Sequence, residues 1–457
     1  MRNNGRNGAI RPRLGVVVTT WTGEDGADYA RNLVNEFPHS APSDQVECIV
    51  CPTLLEYEND IPEIQAFFAD KSLDMLLLVP GNFTLDHVMP MLAEAMSLPT
   101  VLWGLPTEEA WAALVGIQQT LLPFWELGLE YQFFVGELGD KRIWSDVVRC
   151  ARASALVRRM KGRRIGLMGW RAQGMSDVVF DELSLRETFG VHVVNLGMTR
   201  YSRAVDAVPK AEVDEGWAEV SSAYIVDSLP TDICEMGVRS YLAMKHLVKE
   251  ENLDAVTLEC FHDHLGEPCL GCSIFNDAGI AAPCEADVNS AVVMMAGQIL
   301  SGEPTFHVDI FRAELSRNAA IMAHCGNLPR RLAAEPDKVR LTKGREFGAG
   351  FAGPVVQANM RPGPVTVVNL VGRRGTMRMG VIEAEVVSDE LEFPGSSAEV
   401  VFPFDLARAL ETLGNNGYGH HFVLIPGHFG EDLVEWCRRL KIDYLHLTSD
   451  SDFGREI

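Results

Sequence analysis

Basic residues are scarce in this chain of 457 residues. It carries 40 lysines and arginines against 63 aspartates and glutamates, and its formal charge is −23. Nucleic-acid-binding proteins usually present a basic stripe, and anionic membrane surfaces attract basic segments. We therefore expect neither a nucleic acid nor a membrane as a partner. An enzyme that acts on a neutral, metal-bound substrate is compatible with this charge.

Long apolar runs are also absent. No stretch reaches the roughly eighteen apolar residues of a transmembrane helix. The run LGVVVTTW near the start is too short for the apolar part of a signal peptide, and no small-residue cleavage site follows it. Ten cysteines in a chain of this size fit a reducing compartment and buried thiols. These features together predict a cytoplasmic protein.

Two common binding motifs are missing. Gly166, Gly169 and Gly174 do not have the spacing of a GxGxxG turn, so a dinucleotide site is not predicted. Cys269 and Cys272 have a zinc-like spacing, but no second CxxC pair accompanies them. Structural zinc sites usually need that second pair, so buried thiols are the favoured interpretation.

Strand and helix patterns alternate through the first third of the chain, which is typical of a parallel, doubly wound sheet. The predicted strands are LGVVVTTW, VECIVCP, MLLLVPG, PTVLWGLP and QFFVG. A second alternating part begins at RIGLMGW. It includes a predicted helix from an N-cap at Ser176 to Gly190 and a long helix from about Asp232 to Asn252.

After about Pro329 the sequence becomes rich in valine and glycine with near-alternating polarity, a pattern that predicts antiparallel strands. The predicted fold class is therefore α/β, with two Rossmann-like parallel αβα domains and a small antiparallel, barrel-like β domain at the C-terminal end. The predicted bounds are 1–160, 161–340 and 341–457.

Three carboxylates stand at positions suited to a site. Glu259 ends the predicted strand AVTLEC, and ligands bind at the carboxyl ends of strands in open α/β sheets. Glu285 and Asp287 open an apolar helix in PCEADVNSAV. The alternative interpretations are a solvated strand end for Glu259 and helix capping for the acidic turn.

Histidine is sparse, with twelve residues in the chain, yet His420, His421 and His428 lie within one short segment, GHHFVLIPGH. His324, in MAHCGNLP, follows a stretch that we predict to be helical, and it suits a structural role as well as a site. Hard divalent cations such as Mn²⁺ accept carboxylate, imidazole and water together. Glu259, Asp287 and one C-terminal histidine would make such a set.

Four segments carry a family resemblance. They are TLECF, CLGCSIFNDAGIAAPCEADVNSAV, AHCGNLP and GHHFVLIPGHFGEDLVEWCRRLKIDYLH. Together they resemble the L-fucose isomerase and L-arabinose isomerase superfamily. The last segment is similar to the C-terminal motif of fucose isomerases, in which His420 occupies an asparagine position and His421 the position of the metal-binding histidine. The N-terminal third matches only in its strand–helix pattern.

The resemblance implies a site. It implies that Glu259, Asp287 and His421 hold Mn²⁺, or another divalent cation such as Mg²⁺ or Co²⁺. It also implies that the two carboxylates move a proton between C1 and C2 of an open-chain aldose by a cis-enediol route. Comparison with arabinose isomerases makes Glu285 and His324 further candidates, and His420 and His428 would contact the substrate, support the ligands or be structural.

The resemblance further implies a homo-oligomer, a trimer or a hexamer, in which a neighbour's N-terminal domain completes the active site. Trp103, at the carboxyl end of the strand in VLWGLP, is the candidate aromatic residue that reaches across. A tryptophan in the core of its own domain is the alternative.

The chemistry favours an aldose–ketose isomerase acting on a monosaccharide. A Lewis-acid cation stabilises an enediolate, and two carboxyl groups can act as base and acid. Two alternatives stay open. One is other metal-dependent enediolate chemistry, an epimerase or a lyase, on a sugar or a sugar derivative. The other is a non-catalytic sugar-binding protein.

Overall fold

The computed structural model describes residues 9–344, 351–373, 375–388, 392–449 and 451. The chain divides into two compact units, Ile10–Arg158 and the part that begins at Arg159. Both contain parallel sheets with helices, so the predicted α/β class is confirmed. The boundary between the units falls close to the end of the helix Lys141–Met160. The predicted boundary at residue 340 stays a prediction.

The first unit is a five-stranded parallel sheet in the order β2-β1-β3-β4-β5. Its strands are β1 (Arg13–Thr19), β2 (Glu47–Val50), β3 (Met75–Pro80), β4 (Thr100–Gly104) and β5 (Tyr131–Val135), and its helices are α1 (Ala27–Ser40), α2 (Ile61–Phe68), α3 (Val88–Met96), α4 (Ala113–Glu126) and α5 (Lys141–Met160). Every residue of β3 and β4 is buried, because helices cover both faces of a parallel sheet. This explains why these strands read as unbroken apolar runs.

Trp103 lies in β4 and is completely buried in the core of this first unit. Its indole N–H donates to the carbonyl of Gly136 at 2.9 Å. Its ring meets the rings of Phe37 and Trp144 edge to face, with centroids 5.8 and 5.1 Å away. Its contacts are therefore those of a core tryptophan within its own unit.

The second unit begins with a three-stranded parallel sheet in the order β7-β6-β9. Its first elements are β6 (Arg164–Met168), α6 (Glu182–Phe189), β7 (His192–Asn195), α7 (Gly197–Ala207), α8 (Lys210–Ala223), β8 (Ile225–Val226), α9 (Thr231–Glu250) and β9 (Ala255–Leu258). The carboxyl ends of β6 and β9 lie side by side, since the two strands pair in parallel. The loops that follow them, residues 169–181 and 259–268, therefore start at the same sheet edge.

The rest of this unit is built on a ten-stranded sheet in the order β18-β15-β14-β17-β10-β11-β16-β13-β12-β8. Its elements are α10 (Cys269–Asp277), α11 (Val288–Ser301), β10 (Phe306–Glu314), β11 (Ala319–His324), β12 (Arg340–Lys343), β13 (Pro354–Asn359), β14 (Gly363–Arg373), β15 (Thr376–Ser388), β16 (Ser396–Val401), α12 (Leu406–Asn415), β17 (His421–Pro426), α13 (Gly430–Leu440) and β18 (Asp443–Leu447). The sheet is mixed, because β8–β12, β13–β16 and β15–β18 pair in parallel.

Six of these strands close into a ring. Strands β15, β14, β17, β10, β11 and β16 pair antiparallel in that order, and β16 pairs again with β15. Closure leaves no free edge within the ring. Two of the six, β10 and β11, precede residue 341, where the sequence analysis placed the start of the β domain. The ring is thus built from two separated parts of the sequence.

Two local predictions were wrong. Helix α6 begins at Glu182 and not near Ser176, because the carboxylate of Asp181 caps it by accepting from the amides of Leu183 and Ser184. The stretch before His324 is a strand, β11, and not a helix. Its alanines and methionine pair along β10 and β16, and this tertiary pairing outweighs their helix propensity.

Two general features concern the helices and the cysteines. None of the helices that the structure describes is long and apolar enough to cross a bilayer. None of the ten cysteines forms a disulfide among the described residues, and eight of them are buried. Cys269 and Cys272 are among the buried ones, in α10.

The cap at Asp181 can be tested by substitution. Asp181→Ala should lower the free energy of unfolding by about 1 kcal/mol, since two amides of α6 lose their acceptor. Asp181→Asn should have a much smaller effect, because asparagine caps helices almost equally well. Urea unfolding followed by circular dichroism measures both. Equal stability of the alanine variant and the unchanged chain would place the start of the helix elsewhere.

Candidate functional site

The site is organised around His421, the first residue of β17. Strand β17 pairs antiparallel with β10, and His421 stands opposite Asp309 in that pairing. Side chains of residues directly opposite each other in an antiparallel pair lie on the same face. The pairing thereby places an imidazole beside a carboxylate, although the two residues are far apart in sequence.

His421 lies between two buried carboxylates. Its Nδ1 is 2.9 Å from Oδ2 of Asp287, and its Nε2 is 2.8 Å from Oε2 of Glu285. Asp309 Oδ1 lies 3.8 Å from the same Nε2. Ionised carboxylates only accept hydrogen bonds, so both ring nitrogens of His421 act as donors and the ring is an imidazolium.

Asp287 is held firmly from the other side. It is the N-cap of α11, where Oδ1 accepts from the amide of Ser290 at 2.9 Å and Oδ2 accepts from the hydroxyl of Ser290 at 2.5 Å. The carboxylate is 3 % exposed. Asp287 therefore caps a helix and orients His421 at once, which unites the two roles that the sequence left open.

Glu285 stands on strained backbone. Glu285 and Ala286 both adopt left-handed conformations, with φ of 62° and 57°. Residues other than glycine seldom adopt this conformation, and such strain collects at functional sites. Here it turns the glutamate side chain into the buried space next to His421, and the amide of Ala286 still donates to the carbonyl of Leu258 at 3.0 Å.

Charge pairing sets the protonation of these three groups. Burial lowers the pKa of His421, but its bonds to Asp287 and Glu285 outweigh burial and hold that pKa well above its usual value. Burial raises the pKa of Glu285, yet His421 and the nearby imidazoles bring it down to about 2. The pKa of Asp287 is also below its usual range, because the neighbouring imidazoles outweigh burial. One cation thus stabilises two buried anions.

Two further side chains border the same space. His324, at the end of β11, is 2 % exposed, and its Nε2 has no hydrogen-bond partner among the described residues. Asp309 is half-buried, and its Oδ1 likewise has none. Burial lowers the pKa of His324 to about 4 and raises the pKa of Asp309 above its ordinary value.

The donor atoms are close enough to share a cation. One ligand atom each of Asp309, His324 and His421 lies within 4.8 Å of the others, and the same holds for Glu285, His420 and His421. Both groups contain His421. They combine carboxylate oxygen with imidazole nitrogen, the mixture that hard and borderline divalent cations accept.

The predicted site residues are only partly brought together. Glu285, Asp287, His324 and His421 meet as described above. Glu259 does not belong to any such donor group among the described residues; its Oε2 accepts from the amide of Trp170 at 2.8 Å.

The other two histidines of the C-terminal segment differ in their surroundings. His420 is exposed, and Asp177 accepts from its backbone amide at 3.1 Å and meets its Nδ1 at 2.5 Å. Because Asp177 lies in the loop after β6, this contact ties that loop to the rim of the site. His428 lies on the surface, with its Nε2 3.3 Å from Glu385.

Two residues of the site were missed in the sequence. His307 and Asp309 lie on β10, and both side chains approach His421. Their signal was present in TFHVDIF, where two polar residues alternate with apolar ones on a strand. Residues two apart share one face of a strand, so this pair marks a polar face within an otherwise apolar element.

Comparison with known proteins gives one family match and several relatives that align over most of this chain. The model for the C-terminal domain of L-fucose isomerase matches residues 322–447. A sulfoquinovose isomerase of Clostridium sp. (strain MSTE9) is 25 % identical over 417 residues, which cover 86 % of this chain and 90 % of the relative. A sulfoquinovose isomerase of Priestia aryabhattai is 21 % identical, covering 86 % and 91 %. An L-arabinose isomerase of Thermotoga neapolitana is 22 % identical, covering 70 % and 66 %.

The double role of Asp287 gives a stability prediction. Asp287→Ala removes the cap of α11 and leaves the His421 imidazolium without one partner, so it should cost about 3–5 kcal/mol of unfolding free energy. Asp405→Ala is the matched control, because Asp405 caps α12 through the amide of Arg408 but is exposed and has no histidine partner. It should cost about 1 kcal/mol. Equal losses in denaturant unfolding would show that Asp287 acts as a cap only.

Proposed function

The chain belongs to the fucose and arabinose isomerase superfamily, and we propose that it interconverts an aldose and a ketose by moving a proton between C1 and C2 of a monosaccharide. The named relatives are sugar isomerases, and the chain is an enzyme of that class. The observation that carries the proposal is the buried cluster of Glu285, Asp309, His324 and His421.

The cluster fits a divalent cation. Buried polar atoms without partners are uncommon in folded proteins, and Nε2 of His324 and Oδ1 of Asp309 both lack one here. The donors are carboxylates and imidazoles, which suit Mn²⁺, Mg²⁺ or Co²⁺. Glu285, Asp309, His324 and His421 would hold the ion, Asp309 through the carboxyl oxygen that does not carry the transferred proton. Its chemical contribution, when bound, is Lewis-acid stabilisation of negative charge on the substrate oxygens.

This ligand set differs from the one that the sequence suggested. His421 is common to both, whereas Glu285 and Asp309 replace Glu259 and Asp287 in direct contact with the ion. Asp287 would orient His421 through Nδ1, which is the usual arrangement of a carboxylate behind a metal-binding histidine. A ligand role for Glu259 stays a prediction.

The proton transfer needs one ionised and one protonated carboxyl group. The pKa of Glu285 is about 2, whereas burial raises that of Asp309, so the two carboxyl groups are displaced in opposite directions. Such a displacement is typical of acid–base pairs. Glu285 removes the proton from C2 while Asp309 donates one to the carbonyl oxygen at C1, which gives the enediol. The proton on Glu285 exchanges with the solvent while the enediol is bound. Protonation of C1 by Glu285 and transfer of the O2 proton to Asp309 then complete the ketose.

Access to the substrate favours these two residues over Asp287. The side chain of Asp309 is 25 % exposed, whereas that of Asp287 is 4 % exposed and has both oxygens engaged. Asp309 therefore has an open side from which a sugar can approach. His420 lies at the same rim, since its ring centroid is 4.1 Å from that of His421.

Loss of either proton-transfer group should abolish most of the activity. Glu285→Gln and Asp309→Asn should each lower turnover by about 10²- to 10⁴-fold, the usual contribution of a general acid or base. The assay is ketose formation in the presence of Mn²⁺ from a panel of sugars that includes sulfoquinovose and L-arabinose. Glu399→Gln is the control, because Glu399 lies on β16 and pairs with Arg317 at 2.9 Å, and it should leave turnover unchanged.

Metal content separates the two ligand sets. After removal of ions and reloading with Mn²⁺, Asp309→Asn should bind far less than one equivalent, whereas Glu259→Gln should bind a full equivalent. If instead Glu259→Gln lost the ion and Asp309→Asn kept it, the assignment of Asp309 would be wrong. Absence of any ketose from the whole panel with the Mn²⁺-loaded protein would overturn the proposed function itself.

We also propose that the chain forms a homo-oligomer, a trimer or a hexamer, through its first unit. Trp111, Val115, Leu122 and Trp125 on and next to α4 are 84 %, 54 %, 63 % and 74 % exposed. Their spacings of four, seven and three residues place them on one helix face. Large exposed apolar patches usually mark interaction surfaces. The family resemblance further implies that a neighbour's N-terminal domain completes the site. A second copy of the chain is the proposed partner.

A charge on this face should prevent assembly. The double change Trp111→Arg and Trp125→Arg should shift the mass measured by light scattering at micromolar concentration to that of the monomer. Glu108→Arg, on an exposed residue of the preceding loop, is the charge control and should leave the mass unchanged. A monomeric unchanged chain, or an oligomer that survives the double change, would contradict the proposal.

A further inference from the structure

His307 has no partner that explains its position. It is completely buried on β10, and neither of its ring nitrogens has a hydrogen-bond partner among the described residues. Oδ2 of Asp287 lies 3.8 Å from its Nε2, which is beyond hydrogen-bond distance. A buried polar group that is left unsatisfied destabilises the fold, so its retention calls for a reason.

Besides Asp287 and the ring of His421, whose centroid is 4.4 Å away, His307 has a thiol and a further imidazole as neighbours. One ligand atom each of Cys284, His307 and His324 lies within 4.8 Å of the others, and all three residues are buried. We call them the thiol–imidazole group. Nε2 of His324 also lacks a hydrogen-bond partner among the described residues, so two of the three members carry an unsatisfied ring nitrogen.

The thiol has a supporting donor. The side-chain amide of Asn327 donates to Sγ of Cys284 at 3.4 Å. N–H donors of this kind stabilise negative charge on sulfur, and groups behind a metal ligand commonly orient and tune it in this way. Asn327 itself is completely buried, which fixes its amide close to the sulfur.

The chemistry of this group differs from that of the carboxylate cluster. One thiolate and two imidazoles select thiophilic ions such as Zn²⁺ or Cd²⁺, whereas carboxylates suit harder ions. Three protein donors leave a fourth position of a tetrahedral ion open. Binding requires that Cys284 releases its thiol proton, because the thiolate and not the thiol is the metal ligand.

We propose that Cys284, His307 and His324 form a second metal site, one that takes a thiophilic divalent cation. His324 belongs both to this group and to the proposed catalytic ligand set. An ion at the thiol–imidazole group therefore removes a ligand from the catalytic ion, and the second site is inhibitory. The competition rests on the proposed function, whereas the existence of the site does not.

Cobalt titration of the full chain tests the site directly. A Co²⁺–thiolate bond gives an intense sulfur-to-metal absorption in the near ultraviolet, which carboxylate and imidazole ligands do not give. Ion-free protein should develop this band on addition of Co²⁺ and lose it when Zn²⁺ is added. Cys284→Ser should abolish the band, and His307→Asn should weaken Co²⁺ affinity at least about tenfold. Cys325→Ser, on a half-buried cysteine next to His324 but outside the group, should keep it.

A second experiment measures Mn²⁺ binding by electron paramagnetic resonance. Cys284→Ser should still bind Mn²⁺, which shows that the variant is folded. Asp309→Asn should lose Mn²⁺ yet keep the cobalt–thiolate band. Each substitution should therefore abolish metal binding at one site and leave the other site intact. Cd²⁺ should release Mn²⁺ from the unchanged chain, and Cys284→Ser should need at least about tenfold more Cd²⁺ for the same release.

Three results would overturn the proposal. The first is the absence of a cobalt–thiolate band in the unchanged chain. The second is a band that persists in Cys284→Ser, since another thiol would then be the ligand. The third is full retention of Mn²⁺ when Cd²⁺ occupies the thiol–imidazole group, which would exclude the competition for His324.

Discussion

The imidazolium of His421 between Asp287 and Glu285 is the interaction on which the site depends. Two buried carboxylates next to each other would repel, and each would lose its hydration. A single cationic ring with two N–H donors compensates both, at 2.9 and 2.8 Å. A divalent ion next to the ring would take the place of one of its protons and would add one further positive charge. The carboxylates around the ring therefore favour a cation at this position.

Three different parts of the fold position the side chains of Asp287, Glu285 and His421. Asp287 is fixed by the first turn of α11, Glu285 by the left-handed backbone just before it, and His421 by the first residue of β17. Closure of the six-stranded ring brings β10 against β17 and so adds Asp309. Residues held by regular elements move little, and a site that transfers protons between adjacent carbons requires such precision.

Much of the fold could be predicted from the sequence, because local patterns specify it. Parallel strands such as β3 are buried on both faces and therefore read as continuous apolar runs. The resemblance to the fucose and arabinose isomerases, which the comparisons confirm, added the kind of chemistry. Glu285, His324 and His421 were among the predicted candidates, and the structure does bring them together.

The rest of the site could not be predicted from local sequence patterns. Asp309 meets His421 through an antiparallel pairing over long sequence separation, and no local pattern specifies which strands will pair. The segment before His324 looked helical because alanine and methionine favour helices, although its neighbours in the sheet decide otherwise. Glu259 fitted the rule for strand ends, and only the coordinates show that its carboxylate accepts from the amide of Trp170.

Isotope exchange with the solvent tests the central claim, proton transfer by the carboxyl groups of Glu285 and Asp309, most directly. The Mn²⁺-loaded protein would be incubated in D₂O with each aldose that it converts, and the ketose would be examined by NMR. Proton transfer through an enediol predicts deuterium at C1 of the ketose and at C2 of recovered aldose. Complete conversion without any deuterium at either carbon would instead indicate direct hydride transfer between them and would contradict the roles assigned to Glu285 and Asp309.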